Sequence, residues 1–116
     1  MIPFRNRFHG HSSLNYVYRN GQAIHSHLFT LKVISNPHRK QSRVAVVISK
    51  KVLKSAVRRN HIRRQVYEYI HSLLPKLEGA YDMAVIVTSG ELFTKTHDEI
   101  SKQLDQLFNQ TDIHKK

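Results

Sequence analysis

A cluster of cationic side chains is the part of this sequence best suited to chemistry, and that chemistry is the binding of phosphate. The cluster spans residues 58–64 and contains Arg58, Arg59, Asn60, His61, Arg63 and Arg64. Guanidinium groups bind phosphate through two parallel hydrogen bonds. The asparagine amide both accepts and donates hydrogen bonds, which suits a base edge or a 2′-hydroxyl. Three more cations, Lys50, Lys51 and Lys54, come just before the cluster.

The distribution of charge along the chain indicates an anionic partner. The formal net charge of the 116 residues is +11. The first 67 residues carry 14 Lys and Arg and no acid, whereas the last 49 carry 5 Lys and Arg and all 8 acids. Like charges at this density repel one another unless acids lie between them. Nucleic acid is favoured over a membrane because the apolar residues are all needed for a core. The alternative is a solvated basic face that only keeps the protein in solution.

Catalysis by the protein's own side chains is not indicated. The chain has no cysteine, which excludes disulfides and thiolate metal sites and is compatible with a reducing cytoplasm. The adjacent carboxylates Asp98 and Glu99 suit the start of a helix, and no glycine-rich phosphate loop is present. The pairs His9/His11 and His25/His27 lack the third and fourth ligands of a typical zinc site, and we interpret them as loop histidines. We therefore predict neither a catalytic residue nor a metal ligand in the protein.

Hydrophobic periodicity predicts one α+β domain, with the element order α-β-β-β-α-β-α and a single mixed sheet packed by helices. Helices are predicted from Ser12 or Ser13 to Asn20, over 55–74, and from a capping box that starts at Thr96. Strands are predicted at 22–25, 28–35, 43–49 and 83–88. The strand at 43–49 is mostly β-branched and apolar, so we expect it to be central and buried on both faces. We expect residues 1–11 to be a basic arm and residues 111–116 to be a frayed tail. No apolar run reaches the roughly 18 residues of a membrane span, and we expect a cytoplasmic protein.

The apolar arc of the 55–74 helix predicts where its polar residues point. Ile62, Val66 and Ile70 lie within that arc of about 100°, whereas Asn60, Arg64 and Tyr67 fall on the side away from it. Arg63 lies just beyond one edge of the arc, and Arg59 lies inside that edge but one turn nearer the start of the helix. Among the aromatic residues, Phe29 is expected in the core, while Tyr18 could either pack there or stack on a base, and Tyr16 lies close to basic positions.

The run from residue 49 to residue 64 resembles the signature of the bacterial ribonuclease P protein component. In that family a strand ends in Ser-Lys-Lys, and a short connection with an Ala leads to an Arg-Asn-x-apolar-basic-Arg helix; here these are 49–51, Ala56 and 59–64. A basic arm before a short helix with Val17-Tyr18 and Gly21 is also similar. Leu14 stands where the family often has an aromatic residue, and His61 where it has a longer polar one.

The resemblance implies a large catalytic RNA that removes the 5′ leader of precursor tRNA with Mg²⁺, which the RNA mainly holds. The protein would bind this RNA and the leader, and neither DNA nor a membrane is an expected partner. The residues implied to bind the catalytic RNA are Lys54, Arg58, Arg59, Asn60, Arg63 and Arg64. Those implied to bind the leader are Arg5, Arg7, Leu14, Tyr18, Lys32, Lys50 and Lys51.

The family's fold resembles that of the second domain of ribosomal protein S5, with a left-handed βαβ crossover where general rules favour a right-handed one. Two other functions stay open. One is a ribosomal-type structural RNA-binding protein with no role in cleavage, and the other is an autonomous nuclease.

Overall fold

The predicted elements form in the predicted order. The structure, a computed structural model, describes residues 12–37, 41–111 and 113. Its elements are α1 (Ser12–Asn20), β1 (Gln22–His25), β2 (Phe29–Ser35), β3 (Arg43–Ile48), α2 (Ala56–Leu73), β4 (Tyr81–Val87) and α3 (His97–Asn109). Short 3-10 helices follow α2 and β4, at Leu74–Lys76 and Gly90–Thr94. The basic arm, the His9/His11 pair and most of the predicted tail lie outside the described residues, but Ile113 packs half-buried against the core.

The four strands form one mixed sheet in the order β1-β2-β4-β3. Strand β4 pairs antiparallel with β2 and parallel with β3, so α2 is the connection of a βαβ unit. Among the described residues, none of the helices has the length and the apolar character of a membrane span. The left-handed sense of the crossover stays a prediction.

The expectation that 43–49 is the central strand is wrong. Strand β3 pairs with β4 alone among the described residues and so lies at the edge of the sheet, whereas β4 lies between β2 and β3. Ala45 and Val47 are only half-buried, because they lie on the more open face of the sheet. The free edge of β3 is shielded by α2, where the Val46 amide donates to the Tyr67 hydroxyl at 3.4 Å. The prediction that Tyr67 points away from the core is therefore also wrong.

One face of the sheet carries the main core. Alternate strand residues point to this face, and α2 and α3 cover it. The expectation for Phe29 is confirmed, since its side chain is fully buried. The strand residues on this face are Phe29, Leu31, Val33, Val44, Val46, Ile48, Met83, Val85 and Val87. The helices contribute Ile62, Val66, Ile70 and Leu73 from α2, and Ile100, Leu104, Leu107 and Phe108 from α3.

The opposite face carries α1. The strand register aligns a row of small side chains and one lysine across all four strands, namely Ala23, Lys32, Ala84 and Ala45. Helix α1 lies against β2 and β4 and buries Val17 completely. The next row, with Thr30, Ile86 and Val47, is only half-buried. This face is therefore open beside α1.

A buried ion pair joins β3 to β4 on the open face. Arg43 donates to the Asp82 carboxylate from Nε at 2.9 Å and from a terminal nitrogen at 2.7 Å. Asn36 donates to the same carboxylate at 2.9 Å. Both charged residues are less than a tenth exposed. These hydrogen bonds satisfy the carboxylate, and the pair holds β3 in register at the start of the strand.

Candidate nucleic-acid interface

The cationic cluster lies at the start of α2. The Ser55 side chain caps this helix by accepting a hydrogen bond from the Arg58 amide at 3.3 Å. The first turn contains no acidic residue. Because the amino end of a helix carries partial positive charge, the cations at Arg58 and Arg59 add to that charge instead of compensating it. This end of the molecule therefore has an electrostatic environment that favours anions.

The arginines of α2 have different surroundings. Arg63 donates to the Asn60 side-chain oxygen at 2.6 Å, which fixes two of the predicted residues as one unit on the surface. Arg64 is exposed and has no hydrogen-bond or ion-pair partner among the described residues. Arg58 is exposed, with its guanidinium carbon 4.7 Å from the centre of the Phe93 ring. The same helix thus presents three types of cationic group.

Arg59 points toward the loop that precedes α2. One terminal nitrogen of its guanidinium donates to the backbone carbonyl of Leu53 at 2.9 Å and to that of Lys54 at 2.8 Å. The side chain is half-buried. The helical position inside the apolar arc was predicted, but these carbonyl contacts were not. Arg59 therefore positions the loop through this one nitrogen, and its other guanidinium nitrogens could still contact phosphate.

The loop between β3 and α2 carries Lys50, Lys51 and Lys54, all exposed. Other contacts, besides those of Arg59, also order this loop. The Val52 amide donates to the Ser49 carbonyl at 3.1 Å, and a Cβ on Gly90 would lie 2.8 Å from the Val52 carbonyl oxygen. Glycine at position 90 thus permits the close approach of the Gly90–Thr94 segment to the loop. The three lysines are consequently presented by an ordered backbone.

The second predicted group lies along α1 on the open face of the sheet. Lys32 Nζ donates to the Tyr18 carbonyl at 2.8 Å and lies 5.7 Å from the centre of the Tyr18 ring. Burial raises the pKa of the Tyr18 phenol. Leu14 and Tyr18 are half-buried and one turn apart on α1. Arg5 and Arg7 lie outside the described residues.

The structure therefore separates the predicted residues into two groups. The α2 group lies on the core side of the sheet, and the α1 group with Lys32 lies on the open side. The lysine-bearing loop follows the carboxyl end of β3 and leads directly into α2. A cavity of about 350 Å³ between Asn20, Tyr81 and Ile113 is lined by none of the predicted site residues.

Phe93 lies at this surface although it is not among the residues predicted to bind RNA. It lies in the Gly90–Thr94 segment and is 38% exposed. His61 packs against it edge-on, with the ring centres 5.9 Å apart. The signal in the sequence was an aromatic residue directly after the apolar Leu92 in an otherwise polar segment. Across the described residues, no group of three or more His, Cys, Asp or Glu could hold a metal ion.

The family model for Ribonuclease P matches residues 2–112, which is nearly the whole chain. The chain belongs to the ribonuclease P protein family. The ribonuclease P protein component of Prochlorococcus marinus strain AS9601 is 39% identical over 89 residues, covering 67% of this chain and 70% of that relative. The component of Synechococcus sp. strain JA-2-3B'a(2-13) is 29% identical over 116 residues, covering 97% and 86%.

Two solved structures with a similar fold are ribonuclease P proteins. The Staphylococcus aureus RNase P protein aligns with a TM-score of 0.80 at 22% identity, covering 90% of this chain and 93% of that one. The Thermotoga maritima RNase P protein aligns with a TM-score of 0.76 at 20% identity, covering 90% and 97%. The predicted fold class is thereby confirmed. As a ribonuclease P protein, the chain is a subunit of an endoribonuclease ribonucleoprotein and has an RNA partner.

Proposed function

We propose that this ribonuclease P protein binds the catalytic RNA through α2 and the 5′ leader of precursor tRNA through the α1 side of the sheet. It would thereby assist the Mg²⁺-dependent endonucleolytic removal of the leader, with the RNA as catalyst. The observation that carries the proposal is the arrangement of two cationic surfaces on opposite sides of one sheet. A protein built in this way can contact two RNA segments at once.

The α2 surface has the chemistry expected of an RNA-backbone site. Arg63 and Asn60 form a fixed pair, and Arg64 is exposed beside them. A guanidinium presents donors in a fork that matches phosphate, and the amide of Asn60 adds donors for a 2′-hydroxyl. The absence of acids in the first turn of α2 leaves this charge uncompensated until RNA binds.

The α1 surface has the chemistry expected of a single-stranded site. A half-buried aromatic ring, Tyr18, lies beside the Lys32 ammonium, and the small residues Ala23, Ala45 and Ala84 lie in the same row as Lys32. An aromatic ring next to a cation can stack on a base while the cation contacts the backbone. Lys50 and Lys51 at the end of β3 would extend the path of the leader.

Mg²⁺ enters the proposal as an ion held mainly by the RNA, whose phosphate oxygens are the hard ligands that it prefers. The two RNAs repel each other, and a basic protein between them screens that repulsion. The protein should therefore lower the Mg²⁺ concentration needed for cleavage.

Reconstitution tests the proposal. The protein is mixed with the catalytic RNA and a precursor tRNA, and cleavage is followed across a Mg²⁺ titration. We expect the midpoint of the titration to fall when protein is added, and we expect no cleavage by protein without RNA. An unchanged midpoint would favour the structural RNA-binding alternative, and cleavage by the RNA-free protein would favour an autonomous nuclease.

A further inference from the structure

Phe93 forms an exposed aromatic site beside the basic helix. The guanidinium of Arg58 covers part of its ring at 4.7 Å, and His61 contacts it edge-on at 5.9 Å. The ring is still 38% exposed. It therefore has surface left for a further partner after both intramolecular contacts are made.

The segment that carries Phe93 is well anchored. Leu92 is fully buried in the core, so the neighbouring Phe93 side chain is directed outward. The Ser89 side chain accepts a hydrogen bond from the Glu91 amide at 3.2 Å, and the Thr94 hydroxyl donates to the Glu91 carbonyl at 2.7 Å. Because the backbone that carries the ring is already ordered, binding at the ring costs little backbone conformational entropy.

The surroundings of the ring combine apolar surface with positive charge. Val57 is 79% exposed, and it lies one turn from His61 on α2. We refer to Val57, Arg58, His61 and Phe93 as the Phe93 patch. Arg64 lies one turn beyond His61. The nearby carboxylate of Glu91 contacts His27, with its oxygen 2.8 Å from the histidine Nε2.

We propose that the Phe93 patch binds an unpaired base of the catalytic RNA. The base stacks on the exposed part of the Phe93 ring, and the flanking phosphates contact Arg58 and Arg64. This inference rests on the proposed function and adds to it a base-stacking site on the α2 side. The catalytic RNA is favoured over the leader because the patch contacts α2, whereas the leader surface lies on the opposite face of the sheet.

Three substitutions at one position separate stacking from packing. Base–aromatic stacking contributes enough that Phe93→Ala should weaken binding of the catalytic RNA about 5- to 100-fold. Phe93→Leu keeps an apolar side chain without a ring and should weaken binding similarly, whereas Phe93→Trp should retain it. Affinity is measured by filter binding of the full-length protein, and thermal unfolding of each variant checks that it is folded.

A photocrosslink identifies the partner directly. A photoreactive phenylalanine analogue is placed at position 93 of the protein in the complete holoenzyme with bound precursor tRNA. We expect a crosslink to an unpaired nucleotide of the catalytic RNA. The matched control has the same analogue at Tyr16, an exposed aromatic residue of α1 that lies on the leader side.

The outcomes distinguish this inference from the proposed function. If the unmodified protein binds the catalytic RNA and Phe93→Ala and Phe93→Leu bind equally well, the patch is not a binding site although the proposed function stands. The inference is also overturned if Phe93→Leu binds the catalytic RNA as tightly as the unmodified protein does while Phe93→Ala binds it more weakly. A crosslink from position 93 to the leader overturns it as well. If the unmodified protein does not bind the catalytic RNA, both proposals fail together.

Discussion

The guanidinium of Arg59 donates a hydrogen bond to the backbone carbonyl of Lys54 at 2.8 Å, across the junction between the lysine-bearing loop and α2. The same nitrogen also donates to the Leu53 carbonyl. Two arginines of the same helix, Arg59 and Arg64, thus have different surroundings. Arg59 orders the loop, whereas Arg64 is exposed and available for phosphate.

Removing the Arg59 side chain should affect both stability and RNA binding. Arg59→Ala deletes two charge-assisted hydrogen bonds, so we expect the free energy of unfolding to fall by about 1–3 kcal/mol. RNA affinity should fall as well, because the loop with Lys50, Lys51 and Lys54 becomes less ordered. Urea unfolding and filter binding measure the two effects. Wild-type stability in Arg59→Ala would show that the carbonyl contacts do not matter.

Arg64→Ala should weaken RNA binding without changing stability. If Arg64 neutralises one phosphate, the slope of log affinity against log salt should become less steep by about 0.7–0.9. The control is Lys102→Ala, which removes an exposed cation from α3, on the acidic half of the chain. An unchanged slope in Arg64→Ala, or an equal change in the control, would contradict the assignment of α2 as the RNA surface.

Tyr18 should contribute to leader binding. We expect Tyr18→Ala to weaken the binding of precursor tRNA by the holoenzyme and to leave the binding of mature tRNA, which has no leader, unchanged. Tyr18→Phe keeps the ring beside Lys32 and should behave like the wild type. Equal losses for precursor and mature tRNA would mean that the substitution disturbs the fold and not a leader site.

The Arg43–Asp82 pair should be important for stability. Its side chains are only 10% and 5% exposed, so Asp82→Asn leaves the arginine charge buried without its counterion. We expect the free energy of unfolding to fall by about 3–5 kcal/mol, as measured in urea. Glu91→Gln is the control, since the His27–Glu91 pair is 73% and 61% exposed and should contribute only a small fraction of that loss. Similar losses in the two variants would contradict the prediction that burial makes the Arg43–Asp82 pair the more important of the two.

Ionisation of the Tyr69 phenol should make the protein less stable at alkaline pH. Its hydroxyl donates to the Asp105 carboxylate between α2 and α3, and burial together with that carboxylate raises the pKa of the phenol above its ordinary value of 10.0. Because the folded pKa is the higher one, the contribution to stability is complete below about pH 10 and declines as the pH rises further. Tyr69→Phe should reduce the loss of unfolding free energy between about pH 9 and pH 11, measured in urea. The same loss in Tyr69→Phe as in wild type would show that this phenol is not responsible.

Much of the fold could be predicted because each element has its own local signal. The capping box at Thr96 and Glu99 forms as predicted, and the backbone contact with Thr96 lowers the pKa of the Glu99 carboxyl. The apolar stripe of α2 is the buried one. The position of β3 could not be predicted, because a nearly continuous apolar run indicates that both faces of a strand are covered but not how many strands it pairs with.

For the functional side chains, too, the residue types could be predicted from the sequence, whereas their contacts with distant elements could not. The segregation of charge, the phosphate-binding residue types at 58–64 and the family signature can be predicted from the residues alone, because they depend only on composition and spacing. Three contacts become visible only in the folded molecule: Arg59 with the Leu53 and Lys54 carbonyls, Tyr67 with the β3 edge, and Arg58 with the Phe93 ring. These contacts depend on directions and distances between elements, and Arg58 and Phe93 meet across 35 residues of chain, which no helical or strand period encodes.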